Sequence, residues 1–330
     1  MAVTVSVVVC TYTEDRWSRM VDAVRSATTQ TTAPLETIVV VDHNPRLFER
    51  VRAELPDVVA LANAGAQGLS DGRNTGVGAA RGSVVAFLDD DAEAAPDWLA
   101  HLTVHFDRPE VLGVGGTVVP SWPDGRPSWF PEEFDWVVGC SYRGLPGTVA
   151  PVRNLIGANM SFRRRVFEAA GGFDSRLGRV GRLPAGCEET EFCVRAGRGH
   201  AGGVILYDPQ AVVVHHVDAA RTSKGYFRSR CYNEGISKAM VARLSGGVAP
   251  LSVEARYVSK TLVGGAGRAL WSAATGVDPA GTARAAAMVR GFVQTAAGYA
   301  TGFVRCRRGT APMVRLPAAS PVRATVAAEG

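Results

Sequence analysis

Only six cysteines occur among 330 residues, and no two of them form a C-x-x-C pair. Cys10, Cys140, Cys187, Cys193, Cys231 and Cys306 are scattered, which excludes a disulfide framework and predicts reduced thiols in a cytoplasmic protein. Charged residues make up 20% of the chain against 46% hydrophobic, the balance of an ordinary globular protein and not of a disordered or fibrous one. Residues 1–10 carry no basic n-region and no cleavage site, so no signal peptide is expected. Residues 285–304 are apolar, but Arg290, Gln294 and several glycines and alanines interrupt them. They read as a core or interfacial helix, not a span. No internal repeat is visible. Helix-turn-helix, zinc-finger and aromatic single-strand motifs are missing, so no nucleic-acid partner is expected.

What is present is an alternation of strand and helix patterns. Residues 3–10, 37–41, 58–61, 83–88 and 111–119 read as strands. Helical spacing covers 17–27, 46–54, 71–81 and 96–106 between them. Strands separated by such helices imply right-handed βαβ units and a mainly parallel sheet. Ligands in such sheets sit outside the carboxyl ends of the strands, so Thr11, Tyr12, Asp42 and residues 89–91 should gather at one rim. Residues 120–151 are rich in Pro, Gly and Trp and read as an ordered loop or lid. Regular structure returns at 154–162, with a helix through Ala170 that the pair Gly171-Gly172 ends. A helix follows at 188–197, then short strands at 204–206 and 212–215, then helices over 222–244 and 251–304.

Charge is unevenly placed. Residues 251–330 hold ten Lys and Arg against Glu254, Asp278 and Glu329, a net of +7 in a chain whose total is +5. A mildly acidic body with a basic end suggests contact with an anionic surface, such as the inner leaflet of a membrane.

The strongest chemical signal is Val84-Val85-Ala86-Phe87-Leu88-Asp89-Asp90-Asp91. An apolar run of this length reads as a buried strand. Three adjacent carboxylates at its end repel one another, and a hard divalent cation gripping phosphates would satisfy them. The Gly-rich stretch Gly68-Leu69-Ser70-Asp71-Gly72-Arg73-Asn74 is no Walker A loop, since no Gly-Lys-Ser/Thr follows, and the first strand is not followed by G-x-G-x-x-G. A dinucleotide dehydrogenase is therefore disfavoured.

Several motifs together, over roughly residues 4–240, resemble the inverting family 2 glycosyltransferases of GT-A fold. They are Val7-Val8-Val9-Cys10-Thr11-Tyr12, Val40-Val41-Asp42, the loop at 68–76, Phe87-Leu88-Asp89-Asp90-Asp91, Gly157-Ala158-Asn159, Gly171-Gly172-Phe173-Asp174, Glu188-Glu189-Thr190-Glu191 and His215-His216. The resemblance implies a GT-A type α/β fold: a Rossmann-like, mainly parallel sheet flanked by helices, with a helical C-terminal extension. It also implies a domain over 1–245, with a nucleotide-binding half (1–119) and an acceptor and catalytic half (120–245). Residues 246–308 would form a helical, membrane-associating extension, and 309–330 a disordered tail.

The same resemblance implies roles. Asp91, with Asp89 and His215, would hold Mn²⁺ or Mg²⁺. Asp42 would accept the N3–H of uracil or thymine, with Thr11 and Tyr12 lining that pocket, Glu14 on the ribose side, and Arg73, Asp89, Asp90 and Asn159 along the nucleotide sugar. Glu189 would be the general base, with Glu188 beside it; the family more often has Asp at the base position. The residues alone allow blander readings, a turn cap for Asp42 and an acidic helix start for Glu188 and Glu189. The expected activity is metal-dependent, inverting transfer of a sugar from a uridine- or deoxythymidine-diphosphate donor to a hydroxyl acceptor. That acceptor would be a carbohydrate or lipid-linked sugar of cell-envelope synthesis. The rival readings are a sugar-nucleotide nucleotidyltransferase, whose Gly-rich first turn is missing here, and a non-catalytic nucleotide-sugar binder.

Overall fold

The computed structural model describes residues 3–179, 186–245, 254 and 256–308. The expected disordered tail at 309–330 and the start of the helix expected at 251 lie outside the described residues.

The first half is a run of strand–helix units. Strands β1 (Val5–Thr11), β2 (Glu36–Val41), β3 (Val59–Ala62) and β4 (Val84–Asp89) alternate with helices α1 (Trp17–Thr28), α2 (Pro45–Glu54) and α3 (Leu69–Ala79). β1 and β4 are buried over nearly their whole length, which is why their valines run on without polar alternation. In α1, Met20, Ala23, Val24 and Ala27 face the sheet at the spacing of one helical stripe. Asn44 caps α2 by accepting from the Leu47 N–H at 3.0 Å, with Pro45 at the first turn.

A short strand, β5 (Ala92–Ala94), follows the acidic run; its three residues are too few to show a period in the sequence. Then come α4 (Trp98–Thr103), β6 (Val111–Ser121), β7 (Ala150–Pro151), β8 (Asn159–Arg163), α5 (Arg164–Ala170), α6 (Glu188–Gly199) and β9 (Val204–His216). The two short strands expected at 204–206 and 212–215 are one strand, bent where its register against β6 shifts between Gly116 and Thr117. A bulge of this kind interrupts the sequence pattern without ending the strand.

The strands form one sheet in the order β3-β2-β1-β4-β8-β6-β9-β5, with β7 also on β9. β3, β2, β1 and β4 are parallel, as the βαβ pattern requires. β8 runs antiparallel between β4 and β6, so the second half is mixed.

The long segment after β6, read in the sequence as an ordered loop or lid, lines part of the cavity described below. It contains a 3-10 helix, Glu132–Val138, whose Phe134, Val137 and Val138 are buried. They pack with Phe130 against the C-terminal helices α7 (Lys224–Leu244), α8 (Val263–Ala274) and α9 (Gly281–Arg307), joined by a π-helical turn at Tyr257–Leu262. α7 and α9 lie against each other through Gly235 and Gly298. A Cβ on either would strike the partner's backbone, at Thr295 O and Tyr232 O respectively.

Candidate active site

Asp89 ends β4 in register with Cys10 of β1, and Thr11 O accepts from the Asp42 N–H at 2.7 Å. The strand ends therefore gather at one rim, as topology predicts. The turn at Asp90 and Asp91 leads into β5, whose Ala92 pairs with His215 of β9. The backbone N–H of His216 donates to Asp91 O at 2.8 Å. This ladder brings His215 to the acidic run across more than a hundred residues of chain.

Asp89, Asp91 and His215 offer ligand atoms all within 4.8 Å of one another. Asp91 and His215 are each 2% exposed, and His215 Nδ1 lies 3.2 Å from Asp91 Oδ1. His216, the alternative imidazole, turns outward to Glu93 at 2.5 Å. Asp91 Oδ2 and His215 Nδ1 are buried and, among the described residues, meet protein only through charge contacts. Two carboxylates and one imidazole so placed form an O/N donor set suited to Mn²⁺ or Mg²⁺.

Arginines supply part of the countercharge that the acidic run demands. Arg16 Nη1 lies 3.0 Å from both Asp90 Oδ1 and Asp91 Oδ2. Arg221 donates to His215 Nε2 at 3.3 Å and approaches Asp91 Oδ2 at 3.8 Å. Burial works to raise the pKa of Asp91, but His215, Arg16 and Arg221 outweigh it and hold the group below the usual carboxylate range. Asp90 moves the other way, to about 6, because burial and the Asp91 charge outweigh Arg16. Arg16 was missed as a site residue in the sequence; its position five residues beyond the end of β1 is the only local signal.

Arg73 sits at the centre. Its Nη1 donates to Glu188 Oε1 at 2.8 Å, and its Nη2 reaches Asp89 Oδ1 at 3.3 Å and Gly157 O at 3.2 Å. The guanidinium expected to meet phosphate is thus occupied by two protein carboxylates and a carbonyl, and it is 2% exposed. Glu188 is 4% exposed. Glu189, the next residue of α6, makes no ion pair among the described residues, and Arg73 acts on it only from a distance. Burial, and then the charge of Glu188, push its carboxyl up to about 8.

Behind α6, Phe192 stacks on Phe167 at 4.6 Å and meets Phe162 and Phe173 edge-on or tilted at 4.9 Å. Such contacts contribute roughly 0.5–1.5 kcal/mol each beyond burial and fix the helix that carries both glutamates.

A cavity of about 520 Å³ opens here, lined at one end by Arg73, Asp89, Gly157, Glu188 and Glu189. Asn159, expected along the nucleotide sugar, does not reach it. It is wholly buried, accepts from Trp98 Nε1 at 2.8 Å, and donates to Ala211 O at 2.8 Å and Thr117 O at 3.0 Å. Strand alternation turns this side chain into the core, along with Trp98, while Gly157 and Ala158 face the cavity.

The remaining rim residues lie outside the cavity. Asp42 Oδ1 accepts from Asn63 Nδ2 at 2.6 Å and contacts His43 Nδ1 at 2.8 Å, and its Oδ2 accepts from the Gly68 N–H at 2.9 Å. It pins the Gly-rich loop. Tyr12 is exposed, the Thr11 hydroxyl is buried beside Asp90, and Glu14 pairs with Arg46 at 3.3 Å.

Comparison with known proteins fits this geometry. The chain is 40% identical over 238 residues, 71% of its length and 76% of the relative's, to the glucosyl-dolichyl phosphate glucuronosyltransferase of Haloferax volcanii. Its fold is similar to a mannosyltransferase of Pyrobaculum calidifontis solved with GDP-Man and Mn²⁺, with a TM-score of 0.57 at 18% identity, covering 89% of this chain and 87% of that one. It is also similar to GalNAc-T7 solved with UDP, GalNAc and Mn²⁺, with a TM-score of 0.51 at 17% identity over 78% of this chain. There the chain spans only about half, 54%, of the solved protein. Both likenesses concern the fold alone. The glycosyl transferase family 2 model matches residues 6–171. With that match and the 40% identical relative, the chain belongs to glycosyl transferase family 2 and is a glycosyltransferase of GT-A fold.

Proposed function

We propose that the protein is a metal-dependent, inverting glycosyltransferase that moves a sugar from a nucleoside diphosphate donor to a hydroxyl of a lipid-linked acceptor. The observation that carries this reading is the bridge made by Arg73. It joins Asp89 of the candidate metal cluster to Glu188, the neighbour of Glu189, at one end of one cavity.

Asp89, Asp91 and His215 would hold Mn²⁺ or Mg²⁺, which would supply the positive charge that neutralises a leaving diphosphate. Glu189 is the general base. The acceptor hydroxyl gives its proton to the Glu189 carboxylate as its oxygen attacks the anomeric carbon. The bond from that carbon to the phosphate oxygen breaks, and the nucleoside diphosphate departs with the electron pair. Attack opposite the leaving group inverts the anomeric centre. A carboxyl raised to about 8 is a stronger base than an ordinary glutamate, and enough of it is ionised near neutrality to act. Glu188 and Arg73, paired at 2.8 Å, position the helix that carries Glu189.

On the nucleoside side, a carboxylate has roughly four acceptor sites, and protein groups meet Asp42 three times. The remaining site suits the N3–H of uracil or thymine, favouring a uridine- or deoxythymidine-linked donor. Thr11 and Tyr12 would flank the base and Glu14 the ribose. The name of the Haloferax volcanii relative supports a lipid-linked acceptor, and with it a place in cell-envelope glycan or glycolipid synthesis at the inner face of a membrane.

The test is a panel of nucleoside diphosphate sugars incubated with the protein, Mn²⁺ and a lipid-linked sugar. Release of nucleoside diphosphate together with an inverted product is expected. Pyrophosphate release would instead indicate a nucleotidyltransferase, and tight donor binding without turnover a non-catalytic binder.

A further inference from the structure

The cavity has a second end that the transfer chemistry does not use. Phe134, Tyr142, Tyr257, Leu262, Phe292 and Ala296 line it, drawn from the 3-10 helix, the loop after it, the π-helical turn and α9. These six are mostly apolar or aromatic, and the Tyr257 hydroxyl already serves Trp136 and Glu133. Between the aromatic wall and the acidic end stand Arg153, Arg230 and Lys238, which among the described residues pair with two carboxylates, Glu234 and Glu254. Arg153 and Lys238 lie 2.8 and 3.0 Å from Glu254, and Arg230 lies 2.7 Å from Glu234. Arg230 also stands over the Trp136 ring at 5.8 Å, so the charged and aromatic stretches adjoin. Its buried Nε has no hydrogen-bond partner among the described residues.

α9 leads from this chamber to the surface. Phe292 lines the cavity and is also 44% exposed. At helical spacing, Val289, Val293, Phe303 and Val304 continue the same outward stripe, all exposed. The opposite face of α9 is the glycine-lined one packed on α7. Arg290 flanks the stripe at helical spacing, Arg307 stands over the Phe303 ring at 4.7 Å, and Trp271 of α8 is 73% exposed. Among the described residues no helix is long and apolar enough to cross a membrane. A helix with an apolar stripe bordered by arginines instead lies flat in an anionic interface.

We propose that this chamber binds the hydrocarbon chain of an amphiphilic acceptor, which enters from an anionic bilayer across the outward face of α9 at Phe292. The inference rests on the transferase reading above and names its acceptor class: a sugar joined through phosphate to a long apolar chain. The sugar lies at Glu189, the phosphate against the excess cationic charge of Arg153, Arg230 and Lys238, and the chain among the aromatic residues. The net +7 of residues 251–330 complements an anionic leaflet and argues for a bilayer over a second copy of the same basic chain.

Two measurements test it. Geranylgeranyl phosphate should bind the wild-type protein without any donor, and Ala296→Trp, which fills the chamber, should weaken that binding about tenfold or more. Phe292→Ala serves as a second variant should the tryptophan prevent folding. In transfer assays the same variants should lower kcat/KM for a prenyl-phosphate-linked sugar relative to the same sugar as a soluble glycoside. Vesicles of phosphatidylglycerol should float the wild-type protein but not Val293→Asp, and phosphatidylcholine vesicles should float neither. Unchanged chain binding in both chamber variants, an equal loss toward both acceptors, or a stable dimer that ignores anionic vesicles would overturn the proposal. If the protein binds the chain but releases no nucleotide with any donor, only the transferase reading fails.

Discussion

Arg73 and Glu188, 115 residues apart in the chain, form a buried ion pair at 2.8 Å that ties the helix after β3 to the helix carrying the candidate base. The same guanidinium reaches Asp89, so one side chain sets the spacing between the metal cluster and the glutamates. Replacing it with lysine removes the planar fork that permits both contacts. Arg73→Lys is expected to lower the melting temperature and to cut transfer by roughly 10²-fold through misplacement of about 1 Å at the reacting centre. Thermal melts and single-turnover assays read the two effects. A variant with both values at wild-type level would remove Arg73 from its positioning role.

Glu189→Gln should leave donor affinity unchanged and reduce transfer by about 10²–10⁴-fold, the usual contribution of a general base. Glu188→Gln should behave differently. It leaves Arg73 buried without its nearest charge, so a loss of about 3–5 kcal/mol in stability is expected. Denaturant melts beside donor titrations separate the two, and a swap of phenotypes would move the base to Glu188.

The pH dependence follows from Glu189. Its carboxyl is raised from 4.5 to about 8, so the folded protein holds a proton there that the unfolded chain releases. The resulting stability is fully present below about 4.5 and is lost as pH rises through about 8. Transfer should instead rise with pH toward that value, as the base form appears. Glu189→Gln should therefore be more stable than wild type at pH 8 while inactive. Melting curves from pH 5 to pH 9, as an order-of-magnitude window, would reveal the crossing; parallel curves would argue against a raised Glu189.

Asp91→Asn should weaken Mn²⁺ binding by at least ~100-fold and abolish metal-dependent donor binding. Calorimetry with Mn²⁺ alone measures the first, so the result does not depend on knowing the donor. Chelation of the wild-type protein should reproduce the loss of transfer, with recovery on adding Mn²⁺ back. Wild-type affinity in the variant would exclude the aspartate as a ligand.

Phe192→Ala should cost about 3–5 kcal/mol, because the ring is fully buried among three other phenylalanines. Since α6 rests on this ring, transfer should fall even at temperatures where the variant is folded. Denaturant titration and activity at low temperature check both.

Much of the architecture was legible in local pattern. The apolar runs at β1, β2 and β4, the stripe of α1 and the carboxylates after Leu88 are all short-range signals, and the parallel half of the sheet follows from them. The reversal at β8 and the three-residue β5 were not legible, because strand direction and partner are settled by which edge is free when the chain returns.

The site divides along the same line. The amino-acid sequence alone determined that carboxylates, an imidazole pair and a glutamate pair exist, and that the first group ends a buried strand. Only the tertiary structure decided that Arg16 and Arg73 share the countercharge and that Asn159 turns into the core. It also decided that residues 130–138 and the C-terminal helices close one apolar chamber. The reason is physical. Local pattern records burial and period, whereas a buried charge takes its partner from whichever element the sheet order lays beside it, 16 residues away for Arg73 and Asp89 and 115 for Arg73 and Glu188.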